Sequence, residues 1–476
     1  MSDTSLVKGR TNGRPWRPLA RVLVVATALG ALVPAASAIG QTLEDALIKA
    51  YKTNPTLQSQ RARVRATDEQ VPRALSNWRP TVSFTGEAGK AIEETEANVL
   101  GGTNNVRNTE NLSPREYSLV VSQPLFRGFR TVAEIRRAEN RVKAERSRLT
   151  STEQDVLSDA VTAYMDVVRD QAVLDLNISN EQVLRRQLEA ARDRFEVGEV
   201  TRTDVAQAEA RLARASSDRI QAEGFLDSSR AAYQRVIGEM PGKLVEAPLP
   251  KGVPSSVDEA TQSATSANPS VTASEYDEKA ARDDVDLVTG ELLPTLSLDA
   301  GLSRAEEEFR RESEADRAEL VARLTVPIYQ AGAVHARVRE AKQVASQRRI
   351  QIDEARRSAV VEAIQAWEDM TAARARVGSF EKESESNQIA LEGTEQEAAA
   401  GLRTVLDVLD AEQELFSARV NLVRARRDEV VAAYRLLRAV GRLTARDLGL
   451  PVEAYDPDTY YRRARGKFIG TGTDEE

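Results

Sequence analysis

Long stretches of this chain place apolar residues at a helical period and hold neither glycine nor proline. The run from Arg130 to Val197 is unbroken in this sense, as are Ala333 to Val377 and Leu402 to Val440. As a single helix the first would reach about 100 Å at 1.5 Å per residue. Ile135, Val142, Leu149, Val156 and Ala163 recur every seven residues, and a 3-4 spacing from Leu406 to Leu437 is interrupted only by Gln413 and Arg427. Sustained heptads with narrow, alanine-rich stripes predict helices that pack as coiled coils rather than around a globular core. Gly198 and Gly401 stand where such helices would turn back, as C-terminal glycines do. Two antiparallel helical hairpins result, over 130–238 and 332–441.

Four shorter segments switch to a period of two. Val82 and Phe84 alternate with Thr81, Ser83 and Thr85, and Tyr117, Leu119 and Val121 share a second face. Later, Leu296, Leu298, Ala300 and Leu302 alternate with Ser297, Asp299, Gly301 and Ser303, and Leu320, Ala322, Leu324 and Val326 stand opposite Arg323 and Thr325. Strands are expected near 81–89, 116–124, 294–303 and 318–327. Loops are expected between the members of each pair, over 90–115 and 304–317, the second almost wholly charged. The remaining helical segments run from Thr42 to Lys52, Pro55 to Ser76 and Val257 to Val288. Thr42 and Ser256 are suited to cap the first and last of these, with acidic residues in the opening turns.

These elements form one unit written twice. Asn54-Pro55 and Arg79-Pro80-Thr81 recur at an offset of 214 as Asn268-Pro269 and Leu293-Pro294-Thr295. From Pro124-Leu125-Phe126 and Pro327-Ile328-Tyr329 onward the offset is 203, and it holds for Gly198 and Gly401, Thr201 and Thr404, Asp204 and Asp407, and Gly238 and Gly441. A constant order with one localised length change indicates duplication. The organisation read from this is residues 1–38 as a leader, 39–250 as the first copy, 251–450 as the second and 451–476 as a C-terminal tail.

The leader carries Lys8, Arg10, Arg14, Arg17 and Arg21, then the uncharged run Val22 to Ala35, then Ala36-Ser37-Ala38. A basic start, a short apolar run and a small-x-small end predict a signal peptide cleaved after Ala38. The other reading, a membrane anchor, needs about 20 apolar residues to span. Because the segment holds five basic residues and one acidic, its removal takes the net charge from −8 to −12. Later in the chain no uncharged stretch reaches spanning length, so an exported chain that returns to a membrane does so through strands. Apolar-out, polar-in alternation over about ten residues suits a transmembrane barrel, and Asp299 and Arg323 on the polar face favour it over a half-buried soluble sheet. Four strands cannot close a barrel, and open edges are not tolerated in lipid. Copies must share one, and three copies give twelve strands.

Composition narrows the chemistry. With no cysteine and the single histidine His335, disulfides, thiol catalysis and Cys/His metal sites are excluded. The acidic balance argues against nucleic acid as a partner. Neither a nucleophile–base set nor a phosphate loop appears, and no cofactor, metal site or enzymatic activity is expected.

Together these features resemble the TolC-like outer-membrane factors. The most specific match is Gly401-Leu402-Arg403-Thr404-Val405-Leu406-Asp407-Val408-Leu409-Asp410-Ala411, similar to the family's G-x-R-T-x-x-D-V-L-D-A signature. Pro124 to Thr131 resembles the element joining return strand to long helix; Ala331 replaces glycine in its second copy. The resemblance implies a mixed α and β fold with an internal repeat: a homotrimer whose twelve-stranded barrel sits in outer-membrane lipid and continues as a twelve-helix periplasmic tunnel. It implies an aperture at the tunnel tip, constricted by rings of Asp407 and Asp410, with Arg403 and its partners Thr203 and Asp204 gating it. Gly198 and Gly401 would mark the tips where a periplasmic adaptor docks. The family's latch tyrosine is replaced by Ala398. The implied role is the exit duct of a tripartite export system, opened by iris-like movement of helix pairs and driven by an inner-membrane ABC transporter or proton-driven pump. Type I protein secretion and small-molecule efflux both remain open. Independently of the resemblance, Asp407 and Asp410 are three residues apart on one helical face beside a turn, so threefold repetition would form acidic rings that attract cations. The competing architecture is a periplasmic coiled-coil adaptor or scaffold without a channel, which leaves the paired strands unexplained.

Overall fold

The computed structural model describes residues 41–98, 105–308 and 310–473; the leader, with the cleavage site expected after Ala38, lies outside them. Two short helices open the first half, α1 (Leu43–Thr53) and α2 (Pro55–Asp68). Thr42 caps α1 in a reciprocal capping box with Asp45. The Asn54 side chain caps α2, accepting from the Thr56 amide at 2.9 Å, while its Nδ2 donates to the Val236 carbonyl at 2.9 Å. One buried amide thus starts a helix and satisfies an orphan carbonyl at another helix's end. The helix expected over 55–76 breaks at Glu69 into α2 and α3 (Gln70–Leu75).

The strands follow: β1 (Thr81–Ala88), β2 (Ala91–Asn98), β3 (Asn105–Leu112) and β4 (Arg115–Arg127). Here one expectation fails. The segment read as a loop forms the antiparallel pair β2–β3, in register from Ala91 opposite Leu112 to Asn98 opposite Asn105. Apart from Ile92, Val106 and Leu112 its residues are polar or small on both faces, with Arg107 bridging Glu94 and Glu96 at 2.7 Å, so backbone pairing proceeds without the apolar alternation that announces a strand.

Then come the helices α4 (Arg130–Glu196) and α5 (Arg202–Ile237), and the plan repeats with α6 (Val257–Ala267), α7 (Pro269–Thr289), β5 (Thr295–Glu306), β6 (Glu314–Thr325), α8 (Ala333–Ala399) and α9 (Val405–Ala439). The Val257–Val288 segment is interrupted at Asn268, which caps α7 through the Ser270 amide and donates to the Ala439 carbonyl at 3.2 Å. Asn54 makes the same pair of contacts in the first half. Strands β5 and β6 run further into 304–317 than expected, leaving only a short charged turn. The tail contains α10 (Pro457–Gly466), packed against α2 and α3.

The sheet runs β1-β4-β5-β6, antiparallel throughout. Its register places Val82, Phe84, Leu119, Leu302, Leu320 and Leu324 on one face, all exposed. The other face carries Ser83, Ser118, Ser122, Asp299 and Arg323, and Ser122 Oγ donates to Asp299 at 2.6 Å. A β-bulge between Pro124 and Phe126 absorbs the proline at the base of β4. Among the described residues, strands β1 and β6 end the sheet with unpaired edges in the single chain.

The main hydrophobic core lies where α1 and α2 pack on α4, α5 and α9, around Leu57, Leu157, Tyr164, Tyr233 and Ile237. The single Tyr164 hydroxyl proton is shared between the Gln41 and Val245 carbonyls, at 2.8 and 2.6 Å, and the hydroxyl accepts from the Val245 amide, pinning the start of the described chain to the linker between the repeats. Toward the hairpin ends the core thins to small clusters such as Leu184, Ala215 and Leu409. Among the described residues no helix is long and apolar enough to cross a membrane.

Candidate functional site

Both hairpin tips are built by one local rule. At the end of α4, Gly198 takes φ +79°, its amide donates to the Phe195 carbonyl at 3.0 Å, and the Glu199 amide donates to the Arg194 carbonyl at 2.8 Å. At the end of α8, Gly401 takes φ +78°, with the matching bonds to Ala398 at 3.0 Å and from Leu402 to Glu397 at 2.9 Å. These are Schellman closures, and a Cβ at either position would sit in the left-handed region that favours glycine. Three residues on, Thr201 and Thr404 begin the return helices with capping boxes to Asp204 and Asp407. The Asp407 carboxylate accepts from the Thr404 amide at 2.9 Å and its hydroxyl at 2.8 Å.

Those bonds, with the Arg403 charge beside them, hold the Asp407 carboxyl below the usual carboxylate range, and Thr201 does the same for Asp204. Both tips therefore keep their negative charge through mildly acidic conditions. Within one chain Arg403 bonds Glu397 at 2.8 Å. It does not reach Thr203, which is exposed, or Asp204, so the partnership expected from the resemblance is not made inside a protomer. Asp410 is exposed and accepts from Arg211 on α5, tying the two return helices together. Deeper by half a turn, Glu412 is buried and accepts from Gln187 on α4 at 3.2 Å.

The sequence reading brought Asp407, Asp410, Arg403, Asp204 and the two glycines to the tips. It missed Arg211, Glu397 and Glu412. Comparing the copies could have found the last: Arg192 and Glu209 form an ion pair at 2.6 Å in the first, and the residues 203 later are Glu395 and Glu412. Among the described residues no group of three or more His, Asp or Glu side chains is placed to hold a metal ion.

The exposed apolar band, the open sheet edges and the paired hairpins match a known group of proteins. The family model described as outer membrane efflux protein matches residues 46–239 and 260–442, one block in each repeat. The outer membrane efflux protein BepC of Brucella suis is 36% identical over 454 residues, covering 95% of this chain and 97% of its own. The outer membrane protein TolC of Vibrio cholerae is 28% identical over 441 residues, covering 90% and 96%. In three dimensions the Campylobacter jejuni CmeC outer membrane channel superposes with a TM-score of 0.74 over 89% of each chain at 16% identity, a likeness of fold.

Proposed function

The chain belongs to the outer membrane efflux protein family and is an outer-membrane export channel; from that premise we propose that three copies close one barrel and one tunnel, forming the exit duct of a tripartite export system. The observation that carries the assembly is the sheet. Its lipid-facing side chains are apolar and exposed, its other face is polar, and both edges are unpaired. Hydrocarbon leaves no water to satisfy those edges, so each β1 must pair with a neighbour's β6, and twelve strands close the ring.

Behind each strand pair stands one helical hairpin, so the trimer continues the barrel with twelve helices. Asp407 and Asp410 then form two threefold acidic rings at the aperture. Arg403 and Asp204, each engaged only with its own tip in the single chain, are positioned for neighbouring hairpins, and Thr203 stands exposed beside them. Opening swings α4–α5 and α8–α9 apart and must break the Arg211–Asp410 tie. The tips also present Val197 and Leu402, largely exposed, next to Gly198 and Gly401, where a side-chain carbon added to either glycine would meet no atom of the described residues within 4 Å. This open, part-apolar rim is the docking surface for a periplasmic adaptor, which links the duct to an inner-membrane ABC transporter or proton-driven pump. The duct carries secreted protein, small molecules or both.

Planar-bilayer recording tests the aperture. Replacing Asp407 and Asp410 together by alanine should abolish block by divalent cations and raise resting conductance. Cation block equal to that of the unaltered channel would remove the rings from the account.

A further inference from the structure

The two copies share their backbone plan at this end but differ in one pair of charges. In the first, Arg192 on α4 neutralises Glu209 on α5. In the second, the equivalent residues are two carboxylates, Glu395 on α8 and Glu412 on α9. Glu412 is 7% exposed, and its Oε2 has no hydrogen-bond partner among the described residues, whereas Oε1 accepts from Gln187. A buried carboxylate oxygen without a donor is costly and calls for one.

Glu395 and Glu412 line a cleft of about 340 Å³ between α4, α8 and α9. Its other walls include Leu176, Val183, Leu391, Leu415 and Phe416. Two cations also border it. Arg419 is engaged with Gln388 at 2.6 Å, and Arg186 leaves the Glu412 Oε2 without a donor. We propose that this cleft is a binding site for a small organic cation, an ammonium or guanidinium group on an apolar body, whose charge takes the place that Arg192 fills in the first copy.

The walls suit the apolar body, the volume lies in the range of small-molecule sites, and a hydrated metal ion would meet only two carboxylates among aliphatic and aromatic side chains. Burial pushes the Glu412 carboxyl up to about 7, with Gln187 and Arg186 opposing and Glu395 adding to the rise. Binding of the cation therefore strengthens as pH rises from about 6 to 8 and Glu412 ionises.

The test uses the full-length trimer in detergent and 2-phenylethylamine as probe, titrated calorimetrically at pH 8, with the neutral 2-phenylethanol for comparison. The amine should bind saturably, more weakly at pH 6, and the alcohol should not. Glu412→Gln should weaken amine binding at least tenfold. Glu395→Arg, which recreates the first-copy ion pair, should also eliminate it while the trimer forms normally. Equal amine affinity in Glu412→Gln and the unaltered protein, or no amine binding at millimolar concentration, overturns the proposal. If Glu412→Gln does not assemble, the Glu395→Arg protein decides, and undiminished affinity there overturns it.

Discussion

Replacing Arg211 by methionine should make the channel open more readily. The substitution keeps an unbranched side chain at the position and removes the charge that holds Asp410. The two side chains are 30% and 56% exposed, so the pair falls in the range of surface ion pairs, ~0.2–1 kcal/mol each. At about 0.5 kcal/mol per pair and three pairs per trimer, the closed state loses about 1.5 kcal/mol, close to a tenfold rise in the open-to-closed ratio. Single-channel recording at low voltage in 0.1 M salt measures that ratio directly. Because exposed charges are screened at short range in concentrated salt, the difference between Arg211→Met and the unaltered channel should shrink in 1 M salt. Asp410 stays in place, so divalent block should persist, unlike in the double aspartate variant. An open-to-closed ratio within twofold of the unaltered channel at 0.1 M salt would refute the reasoning. An increase that is the same at both salt concentrations would instead trace the effect to packing.

Two further outcomes concern stability. Ala331 takes φ +51° at the strand-to-helix turn where the first copy has Gly128 at φ +60°, so Ala331→Gly should stabilise the protein by about 1 kcal/mol, read from urea midpoints of the trimer. Asp68 is fully buried with neither carboxylate oxygen bonded among the described residues, and burial, opposed by Arg146, pushes its carboxyl up to about 6 from the usual 3.8. The folded state therefore holds this proton to higher pH than the unfolded state does, and stability falls as pH rises from about 4 to 6. Asp68→Asn should remove that part of the pH dependence, so its advantage over the unaltered protein should be larger at pH 7.5 than at pH 4.5.

The long helices are legible in the sequence because their evidence is redundant: dozens of residues without glycine or proline, a heptad stripe, and a Schellman glycine followed by a capping threonine at each tip. The sheet is legible where one face is apolar, which is why β1, β4, β5 and β6 can be placed and the polar pair β2–β3 cannot. The breaks at Glu69 and Asn268 are harder to read. Asn268-Pro269 is a repeat landmark, yet its meaning as a cap joined to the Ala439 carbonyl depends on a contact 171 residues away. Similarly, α10 is short and charged, and it is held by bonds that no local pattern announces, among them Arg146 to Asp458 at 2.7 Å and Tyr460 to Glu69 at 2.8 Å. At the tips, residue identity points to Asp407 and Asp410. Their distinct roles, one spent on its own helix cap and one tying α5 to α9, require the packing of two hairpins.

In the proposed trimer, neighbouring chains close the sheet through β1 and β6. The chain has no cysteine, so engineered pairs report this contact without background. Ser83 on β1 is combined in turn with Glu319, Val321 and Arg323 on β6, each replaced by cysteine and all lying on the polar face. Oxidation in outer-membrane vesicles should give a covalent trimer, on denaturing gels, for at least one pairing, with no species above the trimer. Failure of all three pairings in membrane-inserted protein, or a ladder extending beyond three chains, would contradict the account.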